Sequence, residues 1–311
     1  MVALLVALAL VICAAAATCL HPRDTTAVSL HFGYSREEGP LTWAGIPSAH
    51  NSSADWSVCR LGRHQSPIVI YTDTLKPLPP GSVAVAISNV DAGKALLENL
   101  GTTLEVAGLM GVLKYGGMGY DFQQLHFHTP SEHRIDDEYF PLEMHLVFKA
   151  PDASLAVTGV LFQLGTSTTP NPLLTNIFLN LALVSNPHTN TTTGALDFSA
   201  LTHNLTTTPS LFSYNGSLTT PPCTEGVAWF VLGEPQTGYL DVELYNAVKG
   251  VMKFNARYSQ NGPGGVNLLE LAREIGNNGT VLTSPTDIRF TSVQNWNFVK
   301  FYRRLVSIVY S

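Results

Sequence analysis

Two histidines in Gln124-Leu125-His126-Phe127-His128, followed by a third in Glu143-Met144-His145, constrain this chain more than any other feature. On a β-strand residues i and i+2 share a face, so His126 and His128 point the same way and Gln124 lies beside them. A second strand carrying Glu143 and His145 would close the site from alongside. Neutral imidazole is the commonest side-chain metal ligand at physiological pH. Three histidines with one coordination position left open describe a catalytic zinc rather than a structural one.

Ligand histidines need their second nitrogen bonded, because that bond sets the tautomer and the ring orientation. Gln124 stands two residues before His126 and can accept from it. Glu143 stands in the same relation to His145, and a carboxylate there makes the imidazole a better donor to a metal. His128 has no such neighbour, so a backbone carbonyl is expected. A lone His-x-His would fit a buried core histidine. The third histidine and the two matching acceptors favour a metal site holding one Zn2+ per chain.

The rest of the chain bounds the fold. Its 311 residues are 45% apolar and 13% charged, ample for a buried core. A net charge of −6 shows no basic stripe, which argues against nucleic acid as a partner. From about Ser66 to Gly165 short segments read as strands, among them Val83–Ile87, Thr103–Val106, Gln123–His128, Glu143–Phe148 and Leu155–Leu164, and Val227–Leu232 returns to strand. Pro172–Leu183 and Val242–Phe254 carry apolar residues at helical spacing. Residues 20–60 read as loop with scattered aromatics. The expected architecture is β-rich α+β: a single domain over 28–265 with short peripheral helices, then an extension over 266–311. Within that extension Trp296–Tyr310 mixes aromatics with Lys300, Arg303 and Arg304. This suits a membrane-surface or partner-binding tail, or a segment packed on the domain.

The uncharged, apolar start resembles a secretory leader over 1–19, with an uncleaved anchor as the alternative. Five Asn-x-Ser/Thr triplets, at Asn51, Asn190, Asn204, Asn215 and Asn278, fit a glycosylating route to the extracellular space, the cell surface or an organelle lumen. Asn215 is expected to be too enclosed for modification. Cys59 and Cys223 would pair in an oxidising compartment and contribute roughly 2–4 kcal/mol. Two separate buried thiols are the other reading. Cleavage after Ala17 would leave Cys19 as an odd thiol.

Several motifs, in order over about Leu30 to Gln260, resemble the alpha-class carbonic anhydrases. They are His31-Phe32-Gly33-Tyr34, Gln65-Ser66-Pro67-Ile68, QLHFHTPSEH over Gln124–His133, EMHLV over Glu143–Val147, SLTTPP over Ser217–Pro222, and Asn255-Ala256-Arg257-Tyr258-Ser259-Gln260. The motif style is nearest to bacterial, plant and algal members. The resemblance implies a large, twisted, mostly antiparallel central sheet and zinc-dependent reversible hydration of carbon dioxide to bicarbonate and a proton. It implies His126, His128 and His145 as zinc ligands, and a Cys59–Cys223 disulfide as in secreted members. Zinc in this family lowers the pKa of its bound water towards neutrality, a property long established for it. By the same resemblance, Thr219 accepts a hydrogen bond from zinc-bound hydroxide and passes its own proton to an ionised Glu132. The Thr219 N–H serves as an oxyanion-type donor. Val147, Val157, Leu218, Val227 and Trp229 match the apolar carbon dioxide wall, and Thr220 a bicarbonate contact. Tyr34, His133 and Tyr214 are expected around the ligands, His133 buried and hydrogen-bonded near Glu143 and Tyr214. In isolation the two threonines would read as strand-end residues, and Val147 and Val157 as core.

One departure from the family stands out. Fast members carry a proton-shuttle histidine within Asn-x-Gly-His-x, and the matching stretch here is Asn99-Leu100-Gly101-Thr102-Thr103. Threonine at 102 does not titrate near neutral pH. Leu100 replaces a polar residue that would order water. Proton transfer is therefore expected to limit turnover. Glu105 is a candidate relay, with a solvated surface carboxylate as its plainer reading. A non-catalytic binding or storage relative is the alternative function, but such relatives typically lose a zinc histidine and this chain keeps all three. A hydrolytic zinc enzyme finds no support, because the chain has no His-Glu-x-x-His segment.

Overall fold

The computed structural model describes residues 32–46, 56–165, 170–235 and 240–277. The leader, Cys19, His31, Asn51, Asn278 and the Trp296–Tyr310 tail lie outside the described residues. The chain divides into two units, Met1–Asn267 and Leu268–Ser311. In the first unit the strands are β1 (Val69–Ile70), β2 (Val83–Ile87), β3 (Leu96–Asn99), β4 (Leu104–Ala107), β5 (Gly111–Tyr115), β6 (Met118–His128), β7 (Arg134–Ile135), β8 (Leu142–Lys149), β9 (Leu155–Phe162), β10 (Thr189–Thr192), β11 (Leu211–Ser217) and β12 (Glu225–Leu232). Its helices are α1 (Val58–Leu61), α2 (Pro172–Ile177), α3 (Ser199–Thr207) and α4 (Val242–Met252). In the second unit α5 spans Leu268–Asn277, with Arg273 paired to Glu270 at 3.0 Å. Among the described residues no helix is long and apolar enough to cross a membrane.

Among the described residues ten strands form one sheet in the order β10-β3-β4-β6-β8-β9-β12-β11, with β5 also on β6 and β2 on β5. All pairings in it are antiparallel except β9 with β12. β1 and β7 make a separate parallel pair. This is the β-rich, mostly antiparallel sheet that the motifs imply.

The two faces of the sheet do different work, and strict alternation separates them. Met144, Leu146 and Phe148 of β8, with Ala156 and Val160 of β9 and Phe230 of β12, enter the main core. Leu173, Leu174 and Ile177 of α2, Leu201 and Leu205 of α3, and Val248 of α4 cover that face. The other face carries Glu143, His145 and Val147 of β8, then Val157 of β9 and Trp229 of β12. β6 needs one correction of phase to serve both faces. Tyr120 and Phe122 enter the main core, yet so do Leu125 and Phe127. An irregularity between Phe122 and Gln124 absorbs the extra residue, so Gln124, His126 and His128 all face the site.

Two expectations need correcting, and a polar strand was not foreseen. The Pro172–Leu183 helix stops at Ile177 and resumes as a 3-10 turn over Leu181–Val184. Continuing it would require the Asn180 N–H to bond the Asn176 carbonyl, but that carbonyl accepts from the Gly194 N–H at 2.8 Å. The 20–60 stretch is not all loop: α1 and two 3-10 turns lie within its described part. β10, a polar Thr-Asn-Thr-Thr edge strand, carries no apolar alternation to reveal it.

Candidate active site

Antiparallel pairing of β6 with β8 sets His126 opposite His145 and His128 opposite Glu143. Each histidine has one ring nitrogen engaged. His126 Nδ1 lies 2.8 Å from Gln124 Oε1, His128 Nδ1 lies 2.8 Å from the Asn255 carbonyl, and His145 Nε2 lies 2.8 Å from Glu143 Oε1. These acceptors define the tautomers, so the first two rings donate through Nδ1 and the third through Nε2. One nitrogen from each ring lies within 4.8 Å of the other two. His128 Nε2 is buried and has no hydrogen-bond partner. An orphaned, buried acceptor facing two other imidazoles fits a cation, since zinc–nitrogen bonds are about 2.0–2.1 Å long. Burial lowers the His128 pKa to about 4, against the pull of the Asn255 carbonyl, and burial likewise lowers that of His145. Both are neutral near pH 7, the form that binds a metal.

A second trio, His133, Glu143 and His145, also converges. Hydrogen bonds account for it. Glu143 Oε1 accepts from His133 Nδ1 at 2.7 Å and from His145 Nε2, while Oε2 accepts from the Glu132 and His133 N–H groups at 2.8 Å each. Burial alone would raise the Glu143 pKa, but the two histidines hold it well below the usual carboxylate range. The Tyr214 hydroxyl bridges His133 Nε2 (2.7 Å) and Ser66 Oγ (2.8 Å).

Glu132 is fully buried and accepts the Arg257 N–H through Oε1 at 2.8 Å. Its Oε2 stands 4.0 Å from His145 Nδ1 and lacks a hydrogen-bond partner. Burial pushes its pKa up to about 7, opposed by His145, the nearby Thr219 hydroxyl and the Arg257 N–H. Thr219 and Thr220 are buried in a loop pinned by the Leu218 N–H to the Thr224 carbonyl and by the Cys223 N–H to the Thr220 carbonyl. Thr220 Oγ1, in this loop, is buried without a hydrogen-bond partner. Cys59 and Cys223 form a disulfide with Cα atoms 5.1 Å apart, so the thiol reading falls away. Val147, Val157, Leu218, Val227 and Trp229 belong to one buried apolar cluster. The Trp229 indole N–H donates to the Ser217 carbonyl at 2.9 Å. Tyr34 packs edge-on against Trp43, and burial, then Glu132, raises its pKa.

Two expectations about exposure fail. Glu105 sits directly opposite His126 on β4 and is only 3% exposed, so it is not a solvated surface carboxylate. Asn215 is exposed rather than enclosed, because it lies on β11 at the end of the sheet order and alternates with inward-facing Tyr214. Asn190 is exposed on β10 and Asn204 half-buried on α3. Two residues of the site were not singled out from the sequence. Asn255 supplies the His128 carbonyl, its Oδ1 accepts the Thr129 N–H and its Nδ2 donates to Phe127 and Thr102 carbonyls. Gly159 makes room, since a Cβ there would stand 2.8 Å from Glu143 Oε1. The signals were the Asn-x-Arg-x-x-Gln run and a glycine inside a strand.

The chain is similar to known proteins in sequence and in fold. The profile of the family described as eukaryotic-type carbonic anhydrase matches residues 47–257. A carbonic anhydrase from Pectobacterium atrosepticum is 32% identical over 72% of this chain and 84% of its own length. Alpha carbonic anhydrase 3 of Arabidopsis thaliana is 30% identical over 76% of this chain and 83% of its own. The structure of a fungal alpha carbonic anhydrase from Aspergillus oryzae superposes with a TM-score of 0.71 at 40% identity, covering 78% of this chain and 98% of that one. Family profile, sequence identity and superposed fold agree, and the chain belongs to the alpha carbonic anhydrase family, enzymes of reversible carbon dioxide hydration.

Proposed function

We propose that His126, His128 and His145 hold one zinc ion and that the chain hydrates carbon dioxide reversibly at that site. The convergence of three imidazoles, each with its second nitrogen engaged and His128 Nε2 orphaned, carries the reading. Zinc held there supplies a Lewis acid that makes water a nucleophile near neutral pH, as is established for this family. The chain's own groups do the rest. Glu132, fixed by the Arg257 N–H, takes the Thr219 hydroxyl proton in a hydrogen bond. The Thr219 oxygen is then left to accept from the attacking water and to aim it. A nearby dication favours the ionised Glu132 this requires. Carbon dioxide carries no net charge and rests on Val147, Val157, Leu218, Val227 and Trp229. The Thr220 hydroxyl, which has no hydrogen-bond partner, serves as the bicarbonate contact in this reading. The disulfide suits an oxidising, secretory or lumenal compartment.

The test is stopped-flow hydration by purified protein with zinc measured on the same sample; one zinc per chain without hydration overturns the assignment. Thr219→Val keeps the shape but removes the aiming hydroxyl. Its kcat/KM is expected to fall about a hundredfold, with zinc content unchanged. In weak buffer, wild-type turnover is expected to climb with added imidazole until the chemical step limits it. A flat response would remove proton transfer as the slow step.

A further inference from the structure

Each hydration leaves one proton to be carried to solvent, and Thr102 cannot carry it. Thr102 is nonetheless tied to the site through Asn255. Its carbonyl accepts from Asn255 Nδ2 at 3.1 Å, and the same Asn255 accepts His128 Nδ1 through its own carbonyl. A histidine from elsewhere in the chain reaches this turn. The tip of the His188 ring, Cε1 and Nε2, lies 4.0 Å from where a Cβ on Gly101 would be. His188 is exposed and immediately precedes β10. Its placement is built rather than incidental. The His188 N–H donates to the Asn99 carbonyl at 2.6 Å, Asn99 Nδ2 donates to the Val184 carbonyl at 2.8 Å, and Asn99 Oδ1 accepts the Gly101 N–H at 2.9 Å. One asparagine thus ties the 184–188 segment to the Gly101-Thr102 turn. His188 also holds φ at 63°, a left-handed backbone that non-glycine residues seldom adopt, histidine, asparagine and aspartate more readily than the rest.

We propose that His188 is the proton-transfer residue of this enzyme, doing from the β10 edge what the shuttle histidine does from position 102 in fast family members. The inference rests on the zinc-hydratase reading above. A water in the site gives up a proton through bridging waters to the neutral imidazole, forming imidazolium; the imidazolium then releases it to bulk water or buffer base. Nothing is oxidised or reduced, and the imidazole is regenerated each cycle. Glu105 is the weaker candidate because, buried opposite His126, it has no direct exit to solvent.

His188→Asn tests this, since asparagine tolerates the left-handed backbone but cannot take up a proton. In weak buffer its kcat is expected to fall about tenfold or more, with kcat/KM, zinc content and melting temperature unchanged, and with imidazole restoring kcat. Adding Thr102→His to that variant should restore kcat without imidazole. An unchanged kcat overturns the proposal, as does a matching fall in kcat/KM or a loss of zinc. A buffer-rescued loss in Glu105→Gln but not in His188→Asn also overturns it, in favour of Glu105. Placement has its own readout: cobalt(II) exchanged into the wild-type site should broaden the His188 ring resonances by paramagnetic relaxation, and sharp resonances reject the proposal. A zinc-loaded wild type that does not hydrate carbon dioxide sinks the functional reading itself, and the cobalt measurement still reports on His188.

Discussion

Alanine at His128 is expected to yield a folded protein that no longer retains zinc on dialysis and no longer hydrates carbon dioxide. His128 Nε2 is the buried ring nitrogen of the site that has no hydrogen-bond partner, and a metal would satisfy it there. Losing a hydrogen-bond partner of a ligand costs about 10–100-fold in metal affinity, so losing the ligand itself should exceed the top of that range. Zinc should raise the melting temperature of the wild type, because it binds the folded state alone, and leave the variant unmoved. Metal content, hydration rate and the zinc-dependent melting shift read three sides of one claim. A variant that keeps stoichiometric zinc and wild-type hydration would show that the convergence of the rings is structural.

Glu143 is the second position where a large effect is expected. Its carboxylate accepts from four donors and donates nothing. Glutamine keeps the shape, but whichever way its amide turns, two donors meet an N–H2 group instead of an oxygen. Glu143→Gln should therefore behave almost like Glu143→Ala. Each should destabilise the zinc-free protein by about 3–5 kcal/mol and weaken zinc by about 10–100-fold through the loss of His145 orientation. Chemical denaturation and competitive zinc titration measure the two effects, and zinc affinity within twofold of wild type would reject the orienting role. The same network predicts acid sensitivity of the zinc-free protein. His128 titrates near 4 in the folded state against 6.5 ordinarily, and His145 is also lowered, so the unfolded chain binds those protons first as pH falls below 6.5. Glu132, raised to about 7, works the other way and offsets one of them. Glu143, held low, adds a further loss once pH falls below its ordinary 4.5. With Glu132 offsetting His128, stability should decline on acidification below pH 6.5 through the lowered His145, and further below 4.5 through Glu143. Flat stability from pH 6.5 to 4.5 would contradict these environments.

The local part of this site was legible in the residues themselves. Alternation along Gln124–His128 and Glu143–Val147 places ligands and their acceptors on one face, because strand geometry has a period of two whatever the tertiary context. The order of motifs, through the resemblance, singles out Thr219, Glu132 and Val147, and all three are buried in the structure. Strand existence was read well where β-branched residues cluster, and missed at β11 and at β10, whose polar residues pair only because β3 lies beside them.

Other features depend on groups far apart in the chain. The irregularity at Gln123 turns two core residues and three site residues of one strand to opposite faces, and only the competing demands of two packed faces require it. The helix break after Ile177 follows from a carbonyl captured by Gly194, and the orientation of His128 from a carbonyl at Asn255. Exposure at Glu105 and Asn215 depends on which strand is central and which is at the edge, a property of sheet order rather than of neighbours in sequence. His188 reaches the Gly101-Thr102 turn in the same way, through a pairing of backbone groups that no local pattern encodes. Residue types and short spacings determined the chemistry this protein carries. Long-range backbone hydrogen bonds, which any residue but proline can make, decided where that chemistry is held and where its proton can leave.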